Sequence, residues 1–380
     1  MLKLRPAAVH TLADFRAQAR CKLPRFVFDY VDGGAGDERA LARNTAAFTE
    51  MSLTPRIGAD PGLVNLKTSL CGTEFAAPFG VAPLGMCGLV DPAADVRLAR
   101  AAAKFGLPYI MSTTASTSLE EVSMAAGRAP WFQLYATKSE NATLQLLQKI
   151  ERLGCPALVV TVDTAAPGKR LRDLRNGLRL PYRPTPAAVA DLALHPSWLL
   201  RRLRAGQVAF PNLPQPDGDY RNRSFQDWMG WQTGGKLDWE NLRKIRAAWP
   251  RKLLLKGVLC AADAVQAASI GVDGVIVSNH GGRQLDSAPA PLSVLAQFVS
   301  RGLGPDFLAI DSGIRSGEDV IKCLAQGAGF TFLGRPFLFA LAAQGEAGVE
   351  RMIEMMFDDI ARAMKLLGIA SPRQAATLLL

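Results

Sequence analysis

The sequence predicts an α/β chain wound into a (β/α)8 TIM barrel. Three observations carry the prediction. Eight short apolar runs recur from Pro78 onward, stretches of helical periodicity separate them, and each run ends in a polar or glycine-bearing turn. Alternating strand and helix patterns argue for βαβ units in a parallel sheet, and eight such units are the number that closes a barrel.

Residues 1–77, ahead of the first run, read as an N-terminal helical cap. Asp14-Phe15-Arg16 opens an amphipathic pattern, and Leu23-Pro24 starts a second segment with proline at its head. The turn Asp32-Gly33-Gly34-Ala35-Gly36-Asp37-Glu38 leads into a helix from Glu38 to Phe48. Tyr30 in this cap either packs internally or projects into a site. The strands follow as Phe79–Pro83, Pro108–Met111, Trp131–Tyr135, Ala157–Val162, Leu253–Lys256, Gly274–Val277, Phe307–Ile310 and Phe330–Leu333. Helical patterns between them run over Ala93–Phe105, Leu119–Ala126, Ala142–Leu153, Trp239–Trp249, Ala261–Ser269 and Gly317–Gln326. Residues 180–232 are an insertion between the fourth and fifth strands. There Leu192, Leu194, Trp198, Leu199, Leu200 and Leu203 mix with Arg201, Arg202 and Arg204, and His195 reads as a surface residue. That composition suits an interfacial segment on an anionic membrane face, and equally a lid over the mouth or an oligomer contact. The 380 residues read as one barrel domain, because α/β barrels run long.

Composition narrows the function. Hydrophobic residues make up 49% and charged residues 21%, enough for a large core and too apolar for disorder. A net charge of +10 favours anionic partners: small acids, phosphates or an anionic membrane face. No zinc-finger spacing or aromatic-rich basic strand supports nucleic acid. Six scattered cysteines without a C-x-x-C pair offer neither a zinc site nor a disulfide framework, so no metal is expected and a reducing compartment fits. The first residues lack the apolar core of a signal peptide, and no apolar stretch is long enough to span a bilayer. The expected location is cytoplasmic, with a peripheral place on the inner face of the cell membrane if the insertion binds lipid.

In such a barrel the chemistry sits at the carboxyl ends of the strands. Those ends read Pro83-Leu84-Gly85, Ser112-Thr113, Gln133-Leu134-Tyr135, Thr161-Val162-Asp163, Lys256-Gly257, Ser278-Asn279-His280-Gly281-Gly282-Arg283, Asp311-Ser312-Gly313 and Gly334-Arg335. His280 and Arg283, three residues apart after a buried strand, offer a proton acceptor beside a planar cation. That pair suits deprotonation of a small acid held by its carboxylate, although one His-x-x-Arg alone is also an ordinary surface turn. The last two ends lie where barrels bind phosphate, and Arg315 and Arg335 add bidentate cations unless structural ion pairs use them. Ser112, Gln133, Thr161 and Ser278 suit the edge of a flat heteroaromatic ring. Lys256 would place a cation there, or form a salt bridge to Asp311 or Asp163. No G-x-G-x-x-G turn follows a strand, so a nicotinamide dinucleotide is unsupported.

Taken together, residues 278–286, Thr161-Val162-Asp163, Gln133-Leu134-Tyr135, Leu255-Lys256-Gly257, Asp311-Ser312-Gly313-Ile314-Arg315 and Gly334-Arg335-Pro336 resemble the FMN-dependent L-2-hydroxy acid dehydrogenases and oxidases, from about Leu23 to Leu367. The resemblance implies an FMN-binding barrel, often a homotetramer, that converts an L-2-hydroxy acid of lactate or mandelate type to its 2-oxo acid. It assigns His280 as the base, Asp163 as its partner, Arg170 and Arg283 as the carboxylate grip, and Tyr30 and Tyr135 as tyrosines at the substrate. It further implies that Pro83, Leu84, Gly85, Ser112, Gln133, Thr161, Lys256 and Ser278 contact the flavin ring. It places Gly313, Arg315, Gly334 and Arg335 at the phosphate site and implies that Asp311 is also among the cofactor-binding residues. Gly85 and Thr114 depart from the oxidase pattern toward dehydrogenases that pass electrons to a quinone or another carrier. An H2O2-producing oxidase stays open as the alternative, as does, more remotely, a phosphate-binding lyase or isomerase using Lys256 as an amine.

Overall fold

The computed structural model describes residues 9–56, 58, 60–178, 185–213, 235 and 237–379. A hairpin comes first: β1 (Thr68–Leu70) pairs antiparallel with β2 (Thr73–Phe75). Eight parallel strands follow: β3 (Phe79–Val81), β4 (Ile110–Ser112), β5 (Trp131–Leu134), β6 (Ala157–Thr161), β7 (Lys252–Val258), β8 (Gly274–Val277), β9 (Leu308–Ile310) and β10 (Phe330–Leu333). Their order is β3-β10-β9-β8-β7-β6-β5-β4, and a bridge between Val81 and Tyr109 joins the two ends of the sheet. At that seam Val81 N–H donates to Pro108 O at 2.9 Å. The (β/α)8 expectation holds, with every strand displaced by at most two residues from its sequence-predicted bounds.

Period-2 alternation explains the two layers of core. Leu253, Leu255, Val275, Val277, Leu308 and Ile310 face outward into the large core shared with the helices. Ile110, Trp131, Val159, Leu254, Ile276, Ala309, Phe330 and Phe332 face inward and fill the barrel. The hairpin plugs the amino-terminal end, where Phe75 meets Trp131 and Phe330 at ring-centroid distances of 6.0 and 5.5 Å. One step beyond the inner apolar layer, the same strand parity brings Ser112, Gln133, Thr161, Lys256, Ser278 and Asp311 to the opposite mouth. That end is polar because the alternation continues after the apolar residues stop.

The cap consists of helices Leu12–Lys22, Arg25–Asp32 and Arg39–Glu50. The first packs on a C-terminal helix, Arg335–Leu367, that the sequence reading left unassigned; it bends at Gly345, whose φ is +67°. Helix Pro291–Val299 was likewise not anticipated. Within the insertion, helices Pro186–Ala193 and Pro196–Ala205 are described, whereas residues 180–184 and 214–232 of it lie outside the described residues, as does the extreme N-terminus.

Candidate active site

The inward polar layer at the mouth is almost fully buried. Ser112 is 2% exposed, Gln133 1%, Thr161 1%, Lys256 3% and Ser278 0%. Lys256 Nζ forms an ion pair with Asp311 at 3.2 Å and donates to Ser278 Oγ at 3.1 Å, so of the two carboxylates open to it the nearer is Asp311. Ser112 Oγ donates to Gln133 Oε1 at 2.8 Å. Gln133 Nε2 and Thr161 Oγ1, by contrast, are buried with no partner. Buried polar atoms are paired as a rule, so these two mark the surface that a ligand covers.

The turn after β8 brings an imidazole and a carboxylate together at the mouth. His280 Nδ1 lies 3.0 Å from Asp163 Oδ1, and His280 N–H donates to Ser278 Oγ at 3.0 Å. Burial and then the Lys256 ammonium hold the imidazole below its ordinary value of 6.5, against the opposing pull of Asp163. Burial alone would raise Asp163, but His280 and Lys256 outweigh it and keep the carboxyl below the usual range. Asp163 Oδ2 is a third buried atom without a partner. A neutral imidazole oriented by a carboxylate is a competent proton acceptor.

Arg283 follows on the same turn. Its Nη1 donates to Tyr30 O at 2.7 Å and Gly33 O at 3.0 Å, and its Cζ stands 4.9 Å from the centre of the Tyr30 ring. Burial, then the nearby Arg170 charge, pushes Arg283 down. Arg170 opens the short helix Leu171–Arg175 in the loop after β6 and pairs with Asp173 at 3.3 Å. Two guanidiniums near enough to repel make a natural seat for an anion. Tyr30 OH donates to Gly85 O at 3.0 Å, so the cap tyrosine reaches the mouth. Burial raises both Tyr30 and Tyr135, and Asp163 adds to the rise at Tyr135.

Pro83-Leu84-Gly85 forms the partly exposed loop after β3. A Cβ on Gly85 would lie 2.4 Å from Thr114 Oγ1. The two departures noted in the sequence are therefore one feature: the threonine hydroxyl occupies the space that an alanine methyl would need.

At the end of β9 and β10 the two arginines differ. Arg335 spends Nε on Val31 O, Nη1 on Gly281 O and Nη2 on Gly33 O, at 2.9, 2.9 and 2.7 Å. The guanidinium thus knits cap to barrel, a structural use that the sequence reading left open for it, and Gly334 before it is the N-cap of the long helix. Arg315 makes one guanidinium bond, to Ile314 O at 2.9 Å, and burial pulls it down. Gly313, at φ +92°, lies so close to Asn44 that a Cβ would be 2.3 Å from Asn44 O.

Sequence reasoning missed the residues that hold this turn in place. Asp286 accepts from Asp37 N–H at 2.9 Å and Ala40 N–H at 3.0 Å, capping a cap helix whose own N-cap, Glu38, makes no side-chain cap. Gln284 accepts from Gly168 N–H at 3.0 Å and donates to Asp163 O at 2.8 Å. Arg172 binds Asp32 at 2.9 Å and also Glu38, tying the Arg170 loop to the cap. Asn44 and Asn279 exchange two hydrogen bonds. The only signal for these was an excess of polar residues in segments that had no apolar reason to be placed together.

In the insertion, Trp198 turns inward: its ring meets Phe26 edge-on at 5.8 Å and Nε1 donates to Leu89 O at 2.8 Å. Arg202 bonds Gly88 O and Gly206 O. Neither is free for lipid, whereas Leu194, Leu200 and Leu203 are 77, 54 and 69% exposed. His195, expected at the surface, is largely covered and contacts Asp191 O through Nδ1 at 2.7 Å.

Known proteins share both the fold and the chain length. The family model described as FMN-dependent dehydrogenase matches residues 19–380. An L-lactate dehydrogenase of Caulobacter vibrioides is 39% identical over 373 residues, covering 95% of this chain and 94% of that enzyme. One from Vibrio parahaemolyticus is 38% identical over 361 residues, covering 93% and 94%. The crystal structure of the monotopic membrane protein (S)-mandelate dehydrogenase superposes with a TM-score of 0.91 at 36% identity and covers 97% of both chains. A mandelate oxidase gives 0.81 at 35% identity, over 97% of this chain and 98% of that one. The orphaned Gln133 Nε2 and Thr161 Oγ1, beside a buried lysine and a helix N-terminus, are the donor set that a flat ring with a phosphate tail would satisfy. This chain belongs to the FMN-dependent dehydrogenase family and is an FMN-dependent oxidoreductase of the lactate and mandelate dehydrogenase kind.

Proposed function

We propose that His280 is the base, with Asp163 as its orienting partner, in a dehydrogenase that hands its electrons to a quinone or another carrier. The reaction itself is FMN-dependent oxidation of a 2-hydroxy acid, lactate-like or mandelate-like, to the 2-oxo acid. FMN supplies the two-electron acceptor. Ser112, Gln133, Thr161, Lys256 and Ser278 would hold its ring, with the Pro83–Gly85 loop alongside. Gly313, Arg315, Gly334 and the backbone of Arg335 would hold its phosphate end, while Asp311 would serve the cofactor through its ion pair with Lys256.

The observation that carries the assignment is the 3.0 Å contact between His280 and Asp163, on the same turn as Arg283. Arg170 and Arg283 would grip the substrate carboxylate and fix which hydrogen faces the ring, a proximity effect worth several kcal/mol, on the order of 7–11 at best. Tyr135, held protonated by burial, would donate to the substrate, and Tyr30, whose hydroxyl donates to Gly85 O, would stand beside it. His280, neutral beforehand, takes the proton, and Asp163 stabilises the imidazolium that results. The Lys256–Asp311 ion pair argues against Lys256 as an amine nucleophile.

The acceptor reading is supported by Gly85 beside Thr114 and by the exposed leucines of helix Pro196–Ala205, flanked by Arg201 and Arg204. No helix among the described residues is long and apolar enough to cross a membrane, so contact would be peripheral, on the cytoplasmic face. A homotetramer remains part of the proposal. Anaerobic assays of glycolate, L-lactate, longer 2-hydroxy acids and L-mandelate with an artificial dye test it. Dye reduction with slow reoxidation in air is expected; rapid H2O2 production would make the enzyme an oxidase.

A further inference from the structure

The turn that bears the base is held in an unfavourable backbone. His280 has φ +59°, and Gly281 and Gly282 follow at +65° and +72°. A left-handed residue other than glycine costs of order 1–3 kcal/mol and persists only where its surroundings over-determine it. Three contacts do so from within the barrel: His280 N–H to Ser278 Oγ, Gly281 N–H to Ser312 Oγ at 2.9 Å, and Gly282 N–H to Asn279 Oδ1 at 3.0 Å. The third depends on the orientation of the Asn279 amide, and Asn279 is oriented from outside the barrel. Its Nδ2 donates to Asn44 Oδ1 at 2.6 Å and to Pro289 O at 3.0 Å, while its Oδ1 accepts from Asn44 Nδ2 at 2.9 Å. Asn44 is 1% exposed and Asn279 3%, so the exchange is shielded from water on both sides.

The rest of the clasp brings this pair together. Ala35 N–H donates to Gly282 O at 2.8 Å, Asp286 caps the helix that carries Asn44, and Arg43 of that helix donates to Ala288 O. Gly282 approaches so closely that a Cβ there would lie 2.7 Å from Leu41 N. Asn44 itself makes no side-chain contact with His280, Asp163 or the arginines in these bonds. Its carbonyl lies against Gly313, on the neighbouring strand end.

We propose that Asn44, on cap helix Arg39–Glu50, is a positioning residue for the reaction, acting through Asn279 to keep His280 aimed at the substrate. Buried amides joined in a fully satisfied network stabilise a fold weakly compared with an apolar contact, but they specify one geometry. Here the specified geometry is that of the turn holding the base. The proposal rests on the assignment of His280 as base, and the test separates the two.

Asn44→Ala, His280→Gln and the double variant are prepared as FMN-loaded enzyme, with flavin content, single-turnover flavin reduction and the α-deuterium isotope effect measured on each. Asn44→Ala should keep its FMN and slow reduction roughly 10- to 100-fold, the scale on which about 1 Å of misplacement acts. In the His280→Gln background the same change should add little, because a residue acting through His280 has nothing left to position. Near-normal reduction by Asn44→Ala, or a full additional loss in the double variant, overturns the proposal and leaves the base assignment intact. Near-normal turnover by His280→Gln overturns the base assignment instead. If Asn44→Ala does not retain FMN, Asn44→Ser, which keeps a short hydrogen-bonding group, is read against the same outcomes.

Discussion

At the scale of single residues, the site turns on an imidazole kept neutral in the company of a carboxylate. Burial and the Lys256 ammonium both disfavour the protonated ring, and Asp163 only partly offsets them. The sign of the pH dependence follows. The competent form is the unprotonated one, its share grows as pH rises through the folded pKa, and that pKa lies below 6.5. The acid limb of kcat/KM should therefore have its midpoint below the ordinary imidazole value, with a plateau through neutrality; a midpoint above pH 7 would contradict this. Asp163→Asn should shift the limb further down, because the removed charge is the larger of the two that raise it, ahead of Asp311, while kcat falls. His280→Gln should leave FMN bound and lower kcat by about 10²- to 10⁴-fold, the range for a lost acid–base group, as checked by flavin absorbance and steady-state assay.

At the scale of elements, the cap and the loop after β6 work as one clamp. Arg172 joins Asp32 and Glu38 of the cap, and Asp32 is joined again by Arg16 at 2.6 Å. Burial would raise Asp32, yet the two guanidiniums hold it below the usual carboxylate range. Arg172 stands two residues from Arg170, so loosening it should free the arginine proposed to grip the substrate while leaving His280 on its own turn. Arg172→Met is expected to raise KM for the hydroxy acid about tenfold with a smaller change in kcat, since lost uniform binding appears in KM. Equal losses in kcat and kcat/KM would assign Arg172 to the chemical step. The His280 turn is moored to the cap through Asp286 and Asn279 and to the loop after β6 through Gln284, which bonds Gly168 N–H and Asp163 O.

For the whole molecule, the question is where the reduced enzyme meets its acceptor. Helix Pro196–Ala205 is pinned to the Gly88-Leu89 loop by Trp198 and Arg202 and presents Leu200 and Leu203 outward. The same helix thus has one face committed to the mouth of the barrel and one open to an apolar surface. Replacing both leucines, Leu200→Glu with Leu203→Glu, should move the protein from the membrane pellet to the supernatant while dye-linked activity persists. Retention in the pellet, or parallel loss of dye activity, would contradict a membrane-contact role for this face.

Much of this was legible without coordinates because it is periodic or local. Eight apolar runs with polar ends specify strands and their open mouth, since side chains alternate with a period of two. The polar layer Ser112, Gln133, Thr161, Lys256, Ser278 and Asp311 could be named from strand ends alone. The pairings could not. Nothing local in Asp286 says that it caps a helix starting at Arg39, nothing in Arg335 says that its guanidinium bonds carbonyls of the cap and of the His280 turn, and Asn44 looks like any polar residue of a helix. Trp198 illustrates the same limit, since an aromatic beside arginines suits lipid or a lid equally until Leu89 and Phe26 are seen to enclose it. The linear chain determined the barrel, the family and the set of reactive groups, because those depend on periodicity and on motifs within a few residues. Only the tertiary structure decided which hydrogen bonds those groups had already spent, because the decisive ones (Asp286 on Ala40, Asn279 on Asn44, Arg335 on Val31) join residues far apart in the chain that packing of the cap against the barrel brings within reach.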